Sequence, residues 1–121
     1  MEFRLFCHKE KLIGISQYNH YCVFPPLTQI FEDKTERDKL KNAIIAFWKQ
    51  MHQLLVAETV PEQFRNFYRE GYIIDFAVFL NEDLSYGATV IELNPYARST
   101  GACLFDWNEM FVFLIVMLDC F

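Results

Sequence analysis

Apolar side chains recur at spacings of three and four residues between positions 34 and 57. The recurring positions are Leu40, Ile44, Phe47, Met51, Leu54 and Leu55. This spacing places all six on one side of an α-helix and predicts a long amphipathic helix from about Lys34 to Ala57. Thr35 is the expected N-cap residue, and Pro61 follows the expected end. We interpret the apolar stripe as hydrophobic core rather than as a cofactor site.

Strand-forming runs lie on both sides of this helix. Residues 1–6 alternate polar and apolar, and residues 12–17 are typical of a returning strand, so a hairpin is predicted. A second pair of strands is predicted at 72–79 and 88–94, joined by a polar loop that contains Asn, Glu, Asp and Gly. Together with the helix, these runs predict an α+β fold, an antiparallel sheet with one long packed helix.

Length, charge and cysteine spacing limit the class of protein. The 121 residues fit a single domain, and the net charge of −5 argues against nucleic-acid binding. The apolar run at 111–118 is far too short to cross a bilayer, so no membrane span is expected. The four cysteines lack zinc-site spacing and are expected to be free thiols in a reducing compartment. A cytoplasmic location follows as an expectation.

Two carboxylates and an amide are predicted to meet on the second pair of strands. Strands joined by a short loop are normally antiparallel neighbours. If Phe79 lies opposite Ala88, the same register places Asp75 opposite Glu92. Glu92 and Asn94 share a face because side chains alternate along a strand. By the same alternation, Val90 is expected on that face too.

Directly opposed carboxylates destabilise a sheet, and a divalent cation would remove the conflict. Mg²⁺ prefers oxygen ligands and keeps several waters, so Asp75, Glu92 and Asn94 form a candidate magnesium site. The alternative left open by the residues alone is that Asp75 ends a ladder at a solvated edge while Glu92 and Asn94 face water. A register slip of one residue would also move Asp75 to the other face.

Several sequence blocks resemble one known family. The blocks are Glu2-Phe3-Arg4, Leu12-Ile13-Gly14-Ile15-Ser16-Gln17-Tyr18, Ile74-Asp75-Phe76-Ala77-Val78, Leu93-Asn94-Pro95-Tyr96 and Leu104-Phe105-Asp106-Trp107. Their order and rough spacing, with a long helix after the second block, are similar to those of the cell division cycle protein 123 family over nearly all of the chain. That family belongs to the ATP-grasp superfamily, whose members hold ATP between two α+β subdomains.

The resemblance implies roles for four residues. Asp75, Glu92 and Asn94 correspond to the metal ligands, and Arg4 corresponds to an arginine that lines the nucleotide phosphates. From the residues alone, Arg4 is equally compatible with a surface ion pair to Glu2. One departure is Glu92, where the family usually has Asp. The second is that the family's N-terminal half, with its nucleotide-covering lysine strands, has no counterpart. Residues 1–121 are therefore expected to form a single partial ATP-grasp-like domain that resembles the C-terminal subdomain.

The resemblance also implies a function, an assembly chaperone for translation initiation factor 2 that uses ATP and Mg²⁺ and docks the factor's gamma subunit. Two alternatives remain at this point. One is an ATP-grasp ligase, which would join an acyl phosphate to a nucleophile. The other is a truncated, non-catalytic remnant that acts as a binding module. No nucleophile and base stand out as a pair, so no catalytic residue is predicted.

Overall fold

The secondary structure follows the predicted order with one addition. A computed structural model of the protein describes residues 1–17 and 32–97. Its elements are β1 (Glu2–His8), β2 (Lys11–Gln17), α1 (Lys34–Leu55), α2 (Glu62–Glu70), β3 (Gly71–Leu80) and β4 (Tyr86–Pro95). Helix α2 was not predicted. The sequence block at 104–107, the apolar run at 111–118 and three of the four cysteines lie outside the described residues.

Four strands of the described ranges form an antiparallel sheet in the order β2-β1-β3-β4. Both predicted hairpins are therefore confirmed, and so is the α+β class. The turn between β1 and β2 has two central residues, Lys9 and Glu10, with positive φ angles of 51° and 63°. This conformation matches the right-handed twist of the two strands that it joins. Lys9 N also donates to Glu70 O at 3.1 Å, which ties the turn to the end of α2.

Helix α1 begins where the sequence predicts but has a different cap. Asp33, not Thr35, is the N-cap residue: its Oδ1 accepts from Thr35 N at 2.9 Å and from Glu36 N at 3.3 Å. Asp33 has extended backbone angles, whereas Thr35 already lies within the helix, so only the former has the geometry of a cap. The helix ends at Leu55, two residues before the predicted end.

The apolar stripe packs on one face of the sheet. Leu40, Ile44 and Trp48 are buried against strand residues, and Phe47, Met51 and Leu55 are partly buried against the same cluster. Of the six predicted stripe residues, only Leu54, at 64%, is exposed. The buried strand residues in this cluster are Phe3, Leu5, Cys7, Ile15, Tyr72, Ile74, Phe76 and Val78. Alternate strand residues share a face, so this set defines the helix-covered face of the sheet.

A small polar network lies inside this core. Trp48 Nε1 donates to Tyr72 Oη at 2.9 Å, and His52 Nδ1 lies 2.9 Å from the same oxygen. Burial raises the pKa of the neighbouring Cys7 thiol to about 11.

Among the helices of the described ranges, we find none that is both long enough and apolar enough to span a bilayer.

The opposite face of the sheet has different chemistry. Phe6, Ile13 and Ile73 form a second, smaller apolar cluster there, with Tyr96 packed against it. Arg4 and Asp75 alternate with the residues of the helix-covered face and therefore belong to this second face. We call it the polar face.

Candidate functional site

The pairing of β3 with β4 decides which residues meet on the polar face. Near the turn, Phe79 lies opposite Gly87, not Ala88 as predicted. The register then shifts by one residue between Asp75 and Phe76, because Ile91 is an extra residue in β4. As a result, Asp75 lies opposite Glu92, as predicted.

An extra residue of this kind is a β-bulge, and it also overturns a second expectation. Val90 lies opposite Phe76 and packs against the core under α1, so it is not on the face of Asp75. A regular ladder from Phe79 and Gly87 would place Ile91 opposite Asp75 and turn Glu92 toward the core. The bulge therefore aims Glu92 at the polar face.

A buried ion pair is at the centre of this site. Arg4 lies opposite Asp75 in the pairing of β1 with β3. Arg4 Nε donates to Asp75 Oδ1 at 2.8 Å, and Arg4 Nη2 donates to Asp75 Oδ2 at 2.7 Å. The two residues are 5% and 3% exposed. Arg4 is therefore not a surface residue, and the expected surface pair with Glu2 is wrong, since a guanidinium buried beside a carboxylate takes it as a bidentate partner.

Glu92 and Asn94 extend the cluster toward solvent. Asn94 Nδ2 donates to Glu92 Oε1 at 3.0 Å, which confirms that these two side chains share a face. The same Glu92 oxygen lies 3.6 Å from Arg4 Nη2, and the Glu92 side chain is 52% exposed. We call Arg4, Asp75, Glu92 and Asn94 the oxygen-rich cluster.

Arg4 changes the electrostatic argument for a cation. The sequence predicted two opposed carboxylates without a counter-charge, but Arg4 lies within 4 Å of both. The conflict between the carboxylates is thus relieved within the protein, and charge repulsion alone does not require a metal ion. One guanidinium and two carboxylates still leave one net negative charge, which attracts a cation.

The donor atoms of the cluster fit a hard divalent cation. Carboxylate and amide oxygens are the ligands that Mg²⁺ prefers. Asn94 turns its NH₂ group to Glu92, so its Oδ1 is the atom available to a cation. Among the described residues, no group of three or more His, Cys, Asp or Glu side chains could hold a metal. The cluster has only two carboxylates, and a cation there would need water or phosphate oxygens to complete its coordination.

The pairing of Asp75 with Glu92 and the shared face of Glu92 and Asn94 are confirmed, whereas the contact of Arg4 with Asp75 was not predicted. The structure brings all four together on the polar face. The buried Arg4–Asp75 pair was missed because the two residues are 71 positions apart and nothing local indicates that β1 pairs with β3. The only sequence signal was one basic residue in the first predicted strand and one acidic residue in the third.

The curated relatives of this chain share one description. A protein from Lodderomyces elongisporus is 27% identical over 115 residues, and one from Dictyostelium discoideum is 30% identical over 115 residues. A Xenopus laevis protein is 26% identical over 110 residues. Each is described as a translation initiation factor eIF2 assembly protein. The alignments cover 91%, 95% and 90% of this chain, but only 24%, 24% and 26% of these relatives. The chain thus spans about a quarter of their length.

The fold and the cluster define an α+β protein with an oxygen-rich site on the sheet face opposite its long helix. The family is shown by a model described as D123, which matches residues 1–113. The chain belongs to the D123 family, the cell division cycle protein 123 family that its sequence blocks resemble.

Proposed function

We propose that this chain is part of an assembly factor for translation initiation factor 2 and contributes the magnesium-holding side of an ATP site of ATP-grasp type. The relatives' shared description supports the assembly role. The observation that carries the ATP site is the convergence of Arg4, Asp75, Glu92 and Asn94 on one face of the sheet. The gamma subunit of the initiation factor is the proposed partner.

In this proposal, Asp75, Glu92 and Asn94 would hold Mg²⁺ through their oxygens. The ion would neutralise negative charge on the nucleotide phosphates. Arg4 fixes both Asp75 oxygens with two short hydrogen bonds, so the carboxylate is held in one orientation before any ligand arrives. Arg4 would also contribute positive charge toward the nucleotide phosphates.

The net charge of the oxygen-rich cluster gives a reason why the ion and the nucleotide would bind together. The cluster carries one net negative charge, and a bound dication would turn it into one net positive charge. Without the ion the cluster would repel a phosphate, and with the ion it would attract one. Magnesium alone would bind weakly, since two carboxylates and one amide leave most of its coordination to water.

Isothermal titration calorimetry of the full chain with ATP, in the presence and absence of Mg²⁺, tests the site. We expect binding only with Mg²⁺. Glu92→Gln should weaken it about tenfold or more, because a charged ligand contributes on the order of 1.4 kcal/mol or more. Glu82→Gln is the matched control: it removes the same charge from an exposed position in the same hairpin. Equal affinity of the two variants, or equal binding without Mg²⁺, would refute the ATP site.

The assembly role needs a separate measurement. Purified gamma subunit, passed over the immobilised full chain in surface plasmon resonance, should bind with a saturable signal. Absence of binding to the gamma subunit, together with binding to another subunit of the factor, would correct the partner. Absence of binding to every subunit and to the whole factor would overturn the assembly role for this chain.

A further inference from the structure

Three exposed apolar side chains cluster at the turn between β3 and β4. Phe79, Leu80 and Leu84 are 48%, 54% and 66% exposed. We call residues 79–85 the hairpin tip. Phe79 lies on the polar face and Leu80 on the helix-covered face, since they alternate with Val78 of the core. The tip therefore presents apolar surface in more than one direction.

The turn itself is ordered by its own hydrogen bonds. Asn81 N donates to Ser85 O at 2.8 Å, and Leu84 N donates to Asn81 O at 3.0 Å. Asp83 Oδ1 accepts from Ser85 N at 3.0 Å and from Ser85 Oγ. These bonds lie within the turn itself and stabilise the backbone that carries the exposed side chains.

Leu84 has a backbone conformation that leucine rarely adopts. Its φ angle is 67°, in the left-handed region that favours glycine. The hairpin would form more readily with glycine at this position, and two thirds of the leucine side chain is exposed, so packing within the chain does not account for it. A strained residue with most of its surface exposed points to a role outside the fold.

The ring of Phe79 lies against a glycine of the facing strand. A Cβ atom at Gly87 would collide with the ring of Phe79, which means that the ring lies directly over the glycine across the hairpin. One side of the ring thus faces the glycine, although the residue is half exposed. Contact on one side limits the ring's freedom before a partner covers it, which lowers the entropic cost of binding.

Acidic side chains surround these apolar groups. Glu82 and Asp83 are both exposed between Leu80 and Leu84. Hydrogen bonds from Ser85 lower the pKa of the Asp83 carboxyl, so it stays charged at neutral pH. An acidic, apolar surface repels nucleic acid and anionic lipid, and it is complementary to a protein pocket that is apolar at its centre and basic at its rim.

We propose that the hairpin tip is a docking surface for a protein partner, with Leu84 and Phe79 entering an apolar pocket that lysine or arginine side chains surround. The proposal rests on the proposed function, because the initiation factor is the partner to be tested. It goes beyond that function by naming the surface of this chain and the chemistry of the surface that it meets.

The decisive variant is Leu84→Gly. It removes the exposed side chain and also the strain, so the chain should unfold at a higher urea concentration than the wild type while its affinity for purified initiation factor 2 falls about tenfold or more. Leu54→Ala is the matched control, since Leu54 is 64% exposed but lies at the end of α1. It should leave the affinity unchanged. Glu82→Lys should weaken binding most at low salt.

The outcomes separate the two proposals. If the wild type does not bind the factor, the assembly role and the docking surface both fall. If the wild type binds and Leu84→Gly and Glu82→Lys bind equally well, only the docking surface is overturned. Sedimentation velocity tests whether the tip binds a second copy of the chain instead. A wild type that dimerises, with a Leu84→Gly variant that does not, would assign the tip to that contact and overturn the proposal.

Discussion

Both faces of the sheet contain buried residues, but different kinds of side chain are buried on each. The helix-covered face is closed by apolar contacts between α1 and alternate residues of the strands. The polar face has a smaller apolar cluster and, beside it, a guanidinium and a carboxylate that are almost without solvent exposure. The first face gains stability from area removed from water, whereas the second must first offset the desolvation of two charges.

Because of this difference, the helix-covered face mainly stabilises the fold, whereas the polar face mainly positions the groups of the candidate site. Apolar contacts are non-directional, so the helix-covered face can exchange similar side chains at small cost. The Arg4–Asp75 pair depends on two short hydrogen bonds with fixed geometry. A pair of that kind adds little net stability, but it fixes the position of the groups around it. We therefore expect substitutions on the two faces to affect stability and ligand binding in different proportions.

The largest effect on stability is expected from Asp75→Ala. It leaves Arg4 buried without its carboxylate, which should lower the free energy of unfolding by about 3–5 kcal/mol in urea titrations. The double variant Arg4→Met with Asp75→Leu replaces the pair with apolar groups and should recover most of that loss. It should still fail to bind Mg²⁺ and ATP. A double variant as unstable as the single one would mean that the charge pair itself stabilises the fold.

Leu40→Ala tests the helix-covered face. Leu40 is fully buried, and its truncation should lower the free energy of unfolding by about 3 kcal/mol through lost burial and a residual cavity. Under conditions where the variant is folded, its affinity for Mg²⁺ and ATP should match that of the wild type. A large loss of affinity in folded Leu40→Ala protein would show that the two faces are not independent.

A pH titration of stability probes the burial of Cys7 on the same face. Burial raises the pKa of this thiol from its ordinary value of 9.0 to about 11. Above pH 9 the unfolded chain releases the thiol proton while the folded chain keeps it, so stability should fall as the pH rises from about 9 to about 11. The loss attributable to Cys7 is on the order of 2 kcal/mol. It is measured as the difference between urea titrations of the wild type and Cys7→Ala, and parallel pH profiles would contradict it.

The smallest effect is expected from Asp33→Ala. It removes the oxygen that accepts from Thr35 N and Glu36 N, and loss of such a cap costs about 1 kcal/mol. Thr35→Ala is the control, because Thr35 was the cap predicted from the sequence and lies within the helix instead. Thermal melts followed by circular dichroism should rank Asp33→Ala below Thr35→Ala. The reverse order would restore the original prediction.

The sequence was sufficient for the fold class because the signals were local. Regular spacing from Leu40 to Met51 predicted α1, and alternation predicted the strands on each side of it. Helix α2 was missed because its nine residues follow Pro61 and are mostly polar, with neither a long stripe nor a buried residue to mark them. The cap was misassigned because Asp33 and Thr35 are both good capping residues, and only backbone angles distinguish them.

The pairing of Asp75 with Glu92 was predicted correctly, but partly through compensating errors. The assumed pairing of Phe79 with Ala88 was wrong by one residue, and the bulge at Ile91 restored the pairing of Asp75 with Glu92. Nothing in the run from Ala88 to Asn94 marks Ile91 as an extra residue. The pairing of β1 with β3 is a tertiary contact that the sequence does not encode locally, so the partner of Arg4 could not be predicted. The roles of the four residues in binding Mg²⁺ and ATP stay predictions.

The extra residue in β4 has a consequence for how this hairpin tolerates changes in chain length. Val90 and Glu92 lie opposite the consecutive residues Phe76 and Asp75, and Ile91 pairs with neither. A chain that lacks position 91 would therefore join Val90 directly to Glu92 and keep every cross-strand pair on both sides. Loss of any paired residue between Gly87 and Val90 would instead move the residues between the deletion and the turn to the opposite face of the sheet. This would be avoided only if the strand lost its bulge to restore the pairing. Single-residue deletions along β4 should thus be tolerated best at position 91.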